Sequence, residues 1–383
     1  MNGIQLLNLI RQSGPISRAG LAKLSKLSKP TVSEQINRLL ALDVVVEIGP
    51  ANAAITGGKR PTLVAFHANA GRVVGIGIGS ERTQIAMADL QGEIKSRTDI
   101  VTSPKQGARR LLSRIERSIS AMVARDGGDL QTIAIGVPGR VDCTAGTILE
   151  SGSVFGWNNV EVRTPLEKRL GRPVLIDNDV NVALVAELRH GAARGANNAV
   201  LVRVDTGIGS AVAIHGRIHH GAHWAAGEIG HLALDRPVSK RVSPRGQLES
   251  IVGADQIRKR VRKAARESAV LSRLLREQPE AAALFAAARQ KDEVAVRVAA
   301  DVVHHLSVAV AHQALAYDPD IVLLSGESFL HALPDIRKFL SRTIPWSPKV
   351  EQAAFGGEAV LIGSVDMALT SVYEQMSRRL RAS

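Results

Sequence analysis

The chain has 383 residues, 45% hydrophobic and 22% charged, a balance that excludes wholesale disorder, collagen and coiled-coil rods. Aromatic residues at 3% leave no wall of stacked rings, and the net charge of +13 favours a polyanionic partner. No uninterrupted apolar stretch approaches the 18 or more residues of a membrane span. The apolar run at residues 4–10 is broken by Gln5 and Asn8, with no basic residue ahead of it, unlike a secretory leader. A single cysteine, Cys143, excludes an intramolecular disulfide and a thiolate-rich zinc site. Together these features predict a cytoplasmic protein of two or three domains with no membrane partner.

Residues 1–70 carry eight Lys or Arg and three acids, a net +5. Ile4, Leu7 and Ile10 repeat at helical spacing until Gly14-Pro15 stops the run. Ser17 is placed to cap a second helix bearing Leu21 and Leu24. Pro30 opens a third, where its missing N–H costs nothing. Val32, Ile36 and Leu39 of that helix face the core, and the other side offers Thr31, Ser33, Gln35 and Arg38, with Lys29 at its start. Such side chains read base edges and hold phosphates, and a helix start directs free N–H groups at a phosphate. Residues 44–48 and 62–66 read as strands around a basic tip, Thr56-Gly57-Gly58-Lys59-Arg60-Pro61. This order predicts a winged helix-turn-helix over residues 1–68, with Lys29, Thr31, Ser33, Gln35, Arg38, Lys59 and Arg60 on DNA. The competing reading is a small helical domain that binds protein.

Residues 69–383 alternate strands and helices, the pattern of an α/β module. Strands are predicted at 73–79, 84–89, 93–101, 132–137 and 174–176, and a helix at 108–124. Asp177 stands at the start of another helix, predicted to run to residue 192. The pattern then restarts with strands at 199–204 and 210–214. Gly77-Ile78-Gly79-Ser80 and Gly207-Ile208-Gly209-Ser210 are identical tetrapeptides, each between two strands. They read as an internal duplication: two lobes, divided near 191–197, with a cleft between them. A long apolar helix follows at about 294–316, then a strand at 321–324 and a helix after Gly326. Each glycine turn taken alone is as well explained by a tight hairpin as by a phosphate.

Five polar clusters fall at predicted strand ends or turns: residues 134–142, 156–160, 177–181, 227–231 and 246–249. They hold Arg140, Asn158, Asn178, Asp179, Glu228, His231 and Glu249 on glycine-rich turns. Short carboxylate and amide side chains suit a polyol, whose hydroxyls donate and accept. Asp179 at a helix start is expected to stay ionised and is placed to take a proton from a hydroxyl. Singly, each has a plain structural alternative: Asp179 as a cap, Asn158 as a turn residue, Glu228 and His231 as an ion pair.

With these motifs in place, the whole chain resembles the ROK family (repressors, open reading frames and kinases), and specifically its repressor branch. The matching motifs are Gly136-Val-Pro-Gly139, Gly156-Trp157, Asn178-Asp179, Asp205-Thr-Gly-Ile-Gly209, Gly227-Glu-Ile-Gly-His231 and the run Asp318 to Gly326. The resemblance implies a winged domain on a two-lobed, actin-like (ribonuclease H-like) sugar-kinase module. It implies that Gly139, Arg140 and Asn158 lie at a sugar, that Asn178 and Asp179 bond its hydroxyls, and that Glu228, His231 and Glu249 complete the pocket. Asp179 matches the base of kinase members. The Gly207–Gly209 turn matches a phosphate loop, and Ser325-Gly326 an adenosine-side loop.

The departures fall on the nucleotide side. Gly77 replaces the aspartate that organises Mg²⁺, Glu81 replaces a phosphate-facing threonine, and Glu327 stands where the adenosine-side loop is glycine. Ser210-Ala211 continues the phosphate loop where glycines are usual. Added carboxylates repel a triphosphate. The family's zinc cysteines are replaced by Lys240, Val242 and Gln247 beside a retained His231, so no metal or other cofactor is expected there. His215, His219, His220 and His223 offer a rebuilt site, a weaker reading than hairpin and cleft residues. The basic stretch with Arg236, Lys240, Arg241 and Arg245 reads as a solvated loop, and the basic run 258–266 as a solvated helix face.

The resulting expectation is a non-enzymatic, sugar-responsive repressor of carbohydrate genes that binds palindromic operator DNA as a homodimer or homotetramer. One rival is an active ATP-dependent sugar kinase carrying a DNA-binding domain. A second is a regulator whose partner is another protein.

Overall fold

The computed structural model describes residues 2–50, 61–103, 107–151, 157–234, 246–346 and 348–382. The amino-terminal unit is α1 (Asn2–Ser13), β1 (Ile16–Ser17), α2 (Arg18–Ser25), α3 (Lys29–Ala41), β2 (Val45–Pro50) and β3 (Thr62–Phe66). Ser17 caps α2 by accepting the Gly20 N–H at 3.0 Å, and Ser28 caps α3 through the Thr31 N–H. The apolar stripes of the three helices, with Leu6, Ile10, Leu21, Val32, Ile36 and Leu39, close one core. The strands form a small antiparallel sheet of order β1-β3-β2. Strand β1 was not legible in the sequence, because two residues carry no periodicity. The expected basic tip, with Lys59 and Arg60, lies outside the described residues.

The first lobe comprises β4 (Arg72–Ile78), β5 (Arg82–Asp89), β6 (Ile94–Val101), α4 (Ala108–Asp126), β7 (Leu130–Val137), β8 (Arg140–Asp142), β9 (Thr147–Ser151), β10 (Trp157–Glu161), α5 (Arg163–Leu170), β11 (Val174–Asn178) and α6 (Asp179–Arg189). The second comprises β12 (Ala199–Val204), β13 (Ile208–Ile214), β14 (Arg217–Ile218), α7 (Glu249–Val252), α8 (Ala254–Ala264), α9 (Ala269–Leu274), α10 (Glu280–Arg289), α11 (Glu293–Tyr317), β15 (Ile321–Ser325), α12 (Glu327–Thr343) and β16 (Val350–Gln352), followed by α13 (Ala359–Ala382).

The two main sheets have the same topology. Their orders are β11-β7-β4-β5-β6 and β14-β13-β12-β15-β16. In each, the first three strands form an antiparallel meander and the last two add in parallel. The repeated tetrapeptides sit at equivalent hairpins, β4–β5 and β12–β13, which confirms the duplication.

Helices α6 and α13 lie between the sheets. The α6 residues Val180, Val182 and Leu184 pack on β12, β13 and β15, and the α13 residues Leu361, Val365 and Leu369 pack on β4, β5 and β7. The two helices touch so closely that a Cβ at Gly363 would stand 1.9 Å from the Val182 carbonyl oxygen. Helix α11 is long and apolar enough to cross a membrane, by length and composition, but half of that stretch is buried. It packs in the second lobe against α7, α8, α10, α12 and β12, and Arg297 and Asp301 interrupt it.

One feature of α13 escaped the sequence reading. Its last turns leave the lobe and enter the core of the winged domain. Leu380 is buried among Leu6, Leu7 and Val64, with Met376 against them. The Arg11 guanidinium of α1 stacks 3.5 Å from the Tyr373 ring centroid, and Phe66 meets the same ring edge-on. The division at residue 68 is therefore bridged by the opposite end of the chain.

Candidate functional site

The face α3 turns outward differs from the one expected. With Val32, Ile36 and Leu39 buried, the exposed line runs through Lys29, Pro30, Glu34 and Asn37. Thr31, Gln35 and Arg38 form one half-buried flank, and Ser33 the other. The Ser28 and Thr31 hydroxyls bond each other at 2.8 Å. Arg18 of α2 donates to Asn37 Oδ1 at 2.9 Å and to the Ser33 carbonyl, and pairs with Glu47 of β2 at 3.0 Å. The helix presents a mixed, pre-ordered polar surface. Asn37 was missed because its apolar neighbour Ile36 fixes the helix phase more sharply than polarity does.

Between the lobes lies a cavity of about 190 Å³. Of the eight residues expected at a sugar, Gly139, Asn178, Asp179, Glu228 and Glu249 line it; Arg140, Asn158 and His231 do not. Gly139 lies in the turn between β7 and β8 with φ +112°, and a Cβ there would strike the Glu150 carbonyl oxygen at 2.2 Å, so only glycine lets the turn pass β9. Asn178 is the α6 cap. Its Oδ1 accepts from the Val180 and Asn181 N–H groups, and its Nδ2 donates to the Gly139 carbonyl at 2.9 Å. From the wall of the cavity its amide thus binds backbone and fixes the position of Asp179, the first helical residue.

Asp179 carries the main electrostatic correction. Burial pushes its carboxyl above the ordinary range; Arg203 opposes the shift and Asp205 adds to it. Desolvation outweighs the helix dipole that the sequence reading relied on. Glu228 is also pushed up, chiefly by desolvation, with Asp179 and Glu249 adding repulsion and His231 relieving it. His231 thus stands near Glu228 on the rim, exposed in its short 3₁₀ turn. Glu249 lies against the turn, 2.7 Å from the Cβ position of Gly207.

Arg140 and Asn158 are placed together outside the cavity lining, with Arg140 near enough to Glu228 to favour its ionised form. Both pair with Glu150 across the small sheet β10-β9-β8, so they share its face. Asn158 is exposed. Arg140 reaches across the lobes to the His223 carbonyl at 3.2 Å.

On the nucleotide side a second cavity, of about 450 Å³, opens beside Ser325, Gly326 and Glu327. Gly77 lines the first cavity, and a Cβ there would stand 3.3 Å from Val360 Cγ1, leaving little room for a larger side chain. Glu81 is exposed at the β4–β5 hairpin and lines neither cavity, although its neighbours Ser80 and Arg82 line the first. Glu327 does line the second cavity. The Ser210 hydroxyl turns inward, donating to the Gly227 carbonyl and Gln313 Oε1. Arg203 lines both cavities and pairs with Asp205 at 3.0 Å; its buried Nη1 has no hydrogen-bond partner among the described residues. Sequence reading missed Arg203, whose only signal was a cation inside an apolar strand.

The donor set does not fit the family's zinc. Gln247, at one cysteine position, accepts the Leu234 N–H at 2.7 Å; the other two positions hold Lys240 and Val242, outside the described residues. On α8, Arg258 pairs with Asp255, Arg260 with Asp301 and Arg262 with Glu280. Three of the six cations of the basic run are thus paired within the lobe.

A winged helix-turn-helix carried on a duplicated, two-lobed sugar-kinase-like module is the class that this fold and cleft define. Residues 73–371 match the model of the ROK family, and residues 2–46 a winged helix-turn-helix DNA-binding model. The chain belongs to the ROK family. It is 25% identical to the xylose repressor of Caldicellulosiruptor bescii over 389 residues, covering 97% of this chain and 96% of that protein. It is 30% identical to the glucokinase of Thermotoga maritima over 261 residues, covering 67% of this chain and 81% of the enzyme. A solved ROK family transcriptional regulator, a homolog of the E. coli MLC protein, shares the fold with a TM-score of 0.76 at 23% identity, covering 97% of this chain and 96% of that one.

Proposed function

We propose that the protein is a sugar-responsive transcriptional repressor, released from operator DNA when a sugar or sugar derivative enters the interlobe cavity. The observation that carries this reading is one continuous helix path. Asp179 and the Asn178 cap begin α6; α6 packs on α13; α13 ends inside the winged core. Whatever changes lobe closure at Asp179 therefore changes the support of α3. Full-length similarity to a xylose repressor supports sugar as the effector class. The coupling cannot exceed the effector's differential affinity for the two closure states, typically about 1–3 kcal/mol.

The protein works in the cytoplasm as a homodimer or homotetramer, without a membrane partner. Two-fold symmetry calls for a palindromic operator. Gly139, Asp179, Glu228 and Glu249 hold the sugar, Asn178 positions Asp179, and Arg140, Asn158 and His231 meet the ligand only on further closure. Lys29, Thr31, Ser33, Gln35, Arg38, Lys59 and Arg60 contact DNA, joined by Asn37. The protein is not a kinase: Gly77 offers no carboxylate to Mg²⁺, and Glu327 lines the nucleotide-side cavity.

The test is a thermal-shift screen against monosaccharides, amino sugars and their phosphates, with and without Mg-ATP, repeated as operator titrations. A sugar that shifts the melting temperature without ATP and weakens operator binding is the expected result. The rival kinase reading draws on the retained Asp179 and the open nucleotide-side cavity; sugar-dependent ADP release would establish it. For the DNA face, Arg38→Ala and Lys59→Ala are each expected to weaken operator binding about 5- to 30-fold, by roughly 1–2 kcal/mol for a lost contact, with sugar affinity unchanged by calorimetry.

A further inference from the structure

We propose that Cys143, Asp177 and His220 form a zinc site that fastens the two lobes together beside the effector cavity. The three residues come from separate parts of the fold. Cys143 follows β8 and Asp177 ends β11, both in the first lobe; His220 follows β14 in the second. One donor atom from each lies within 4.8 Å of the other two. Asp177 Oδ2 is 2.8 Å from His220 Nε2. Bond lengths of about 2.0–2.3 Å in a tetrahedral zinc site put ligand atoms roughly 3.5 Å apart. The carboxylate–imidazole spacing of 2.8 Å is tighter than that and the whole set stays within 4.8 Å, so small side-chain rotations admit the ion.

The surroundings are built for fixed ligands. Asp177 is 6% exposed, and its Oδ1 is held by the Asn178 N–H at 2.7 Å and Asn181 Nδ2 at 2.9 Å. That leaves Oδ2 as the ligating oxygen, oriented as outer-shell bonds orient metal ligands. Trp224 packs edge-on against the His220 ring. Arg163 ties the Cys143 and Thr144 carbonyls down at 2.6 Å each. One thiolate, one imidazole and one carboxylate suit zinc rather than magnesium or calcium, and water completes the fourth position.

Protonation fits the same chemistry. Without metal, burial and the neighbouring Asp177 and Asp142 carboxylates push the Cys143 thiol up, and it remains a thiol. A divalent cation reverses that balance. On binding, Cys143 releases its proton to solvent, His220 binds as neutral imidazole, and the hydrated zinc ion gives up all its waters but one as the three side chains coordinate. The site is separate from the lost family zinc motif, of which His231 alone remains, and it stands whether or not the cavity takes a sugar. Its effect is mechanical. Asp177 precedes Asn178 and Asp179, so an ion held with His220 pins the second lobe at the effector site.

The test uses tag-free, full-length protein stripped with a chelator. Zinc is titrated against a chromophoric chelator, and Co²⁺ binding is followed by absorption. The expected result is one zinc per chain, a rise in melting temperature, and a Co²⁺ spectrum with four-coordinate d–d bands plus a thiolate charge-transfer band. Cys143→Ser should remove the charge-transfer band, and Cys143→Ser and His220→Gln should each weaken zinc at least 10-fold. His219→Ala should bind zinc as the parent does. Equal melting temperatures of the metal-free proteins will show that the variants fold. Zinc affinity unchanged in Cys143→Ser and His220→Gln, a Co²⁺ spectrum without the thiolate band, or failure to compete with the chelator would overturn the site.

Discussion

Asp179→Asn is expected to abolish the sugar response while leaving operator affinity intact. Asp179 is a cavity carboxylate placed by the Asn178 cap, and a hydrogen bond to a charged group is worth about 1.5–3 kcal/mol. Effector affinity should therefore fall roughly 10- to 100-fold by calorimetry, giving a repressor that no longer lets go. The same change should raise the melting temperature. Because the native environment raises the Asp179 pKa above its ordinary value of 3.8, the folded state binds that proton more tightly than the unfolded chain does. Ionising it costs stability as pH rises from the unfolded value to the folded one, and the cost stays constant above that. Asparagine removes the cost. The stabilisation should grow as pH rises from the ordinary carboxylate value to the raised folded-state value, and vanish as pH falls below the ordinary carboxylate range. A variant that still releases operator at the parent's sugar concentration would remove Asp179 from the site. A melting-temperature gain independent of pH would remove burial of its charge as the cause.

Leu380→Ala is expected to have the second large effect, at the other end of the helix path. Leu380 is 8% exposed within the winged core, and a large-to-small change in such a place costs about 2–5 kcal/mol. Because the site is at the edge of that core, the lower part of the range applies. The winged domain should melt ahead of the lobes, and operator binding should weaken while sugar affinity holds. Arg11→Ala tests the coupling more gently. It removes a guanidinium stacked 3.5 Å from the Tyr373 ring centroid, a contact worth about 1–2 kcal/mol when partly desolvated. Operator affinity without sugar should change little, and its ratio with and without sugar should shrink several-fold. If both variants keep the parent's ratio, α13 does not carry the signal.

The two effects share a physical origin. The fold keeps a cavity carboxylate at a cost in stability, and one helix serves two cores. Proteins place such strained or conflicted groups at functional sites. Glu187 contributes to the same joint. Fully buried in α6, it accepts the Ala354 and Phe355 N–H groups with one oxygen and the Ala192 N–H with the other. This holds the segment before α13 to α6, so the two helices respond as a unit.

The sequence by itself determined much of this protein. The stripe of Val32, Ile36 and Leu39, the cap Ser17, and Pro30 at the start of α3 were enough for the winged domain. The repeated tetrapeptides disclosed the duplicated sheets, and the motif glycines located the cleft. Those signals are local: periodicity, capping and turn chemistry act within a few residues, so they survive reading in one dimension. The tertiary structure alone decided that Asn178 caps α6, that Glu81 lies outside the cavities, and that Arg203 joins them. It also decided that Cys143, Asp177 and His220 meet, and that the end of α13 belongs to the winged core. Each of these depends on which faces meet across separations of tens to hundreds of residues. Such meetings are set by packing and clearance, as at Gly363 against Val182, and by the desolvation that follows from them. No short stretch of sequence encodes either.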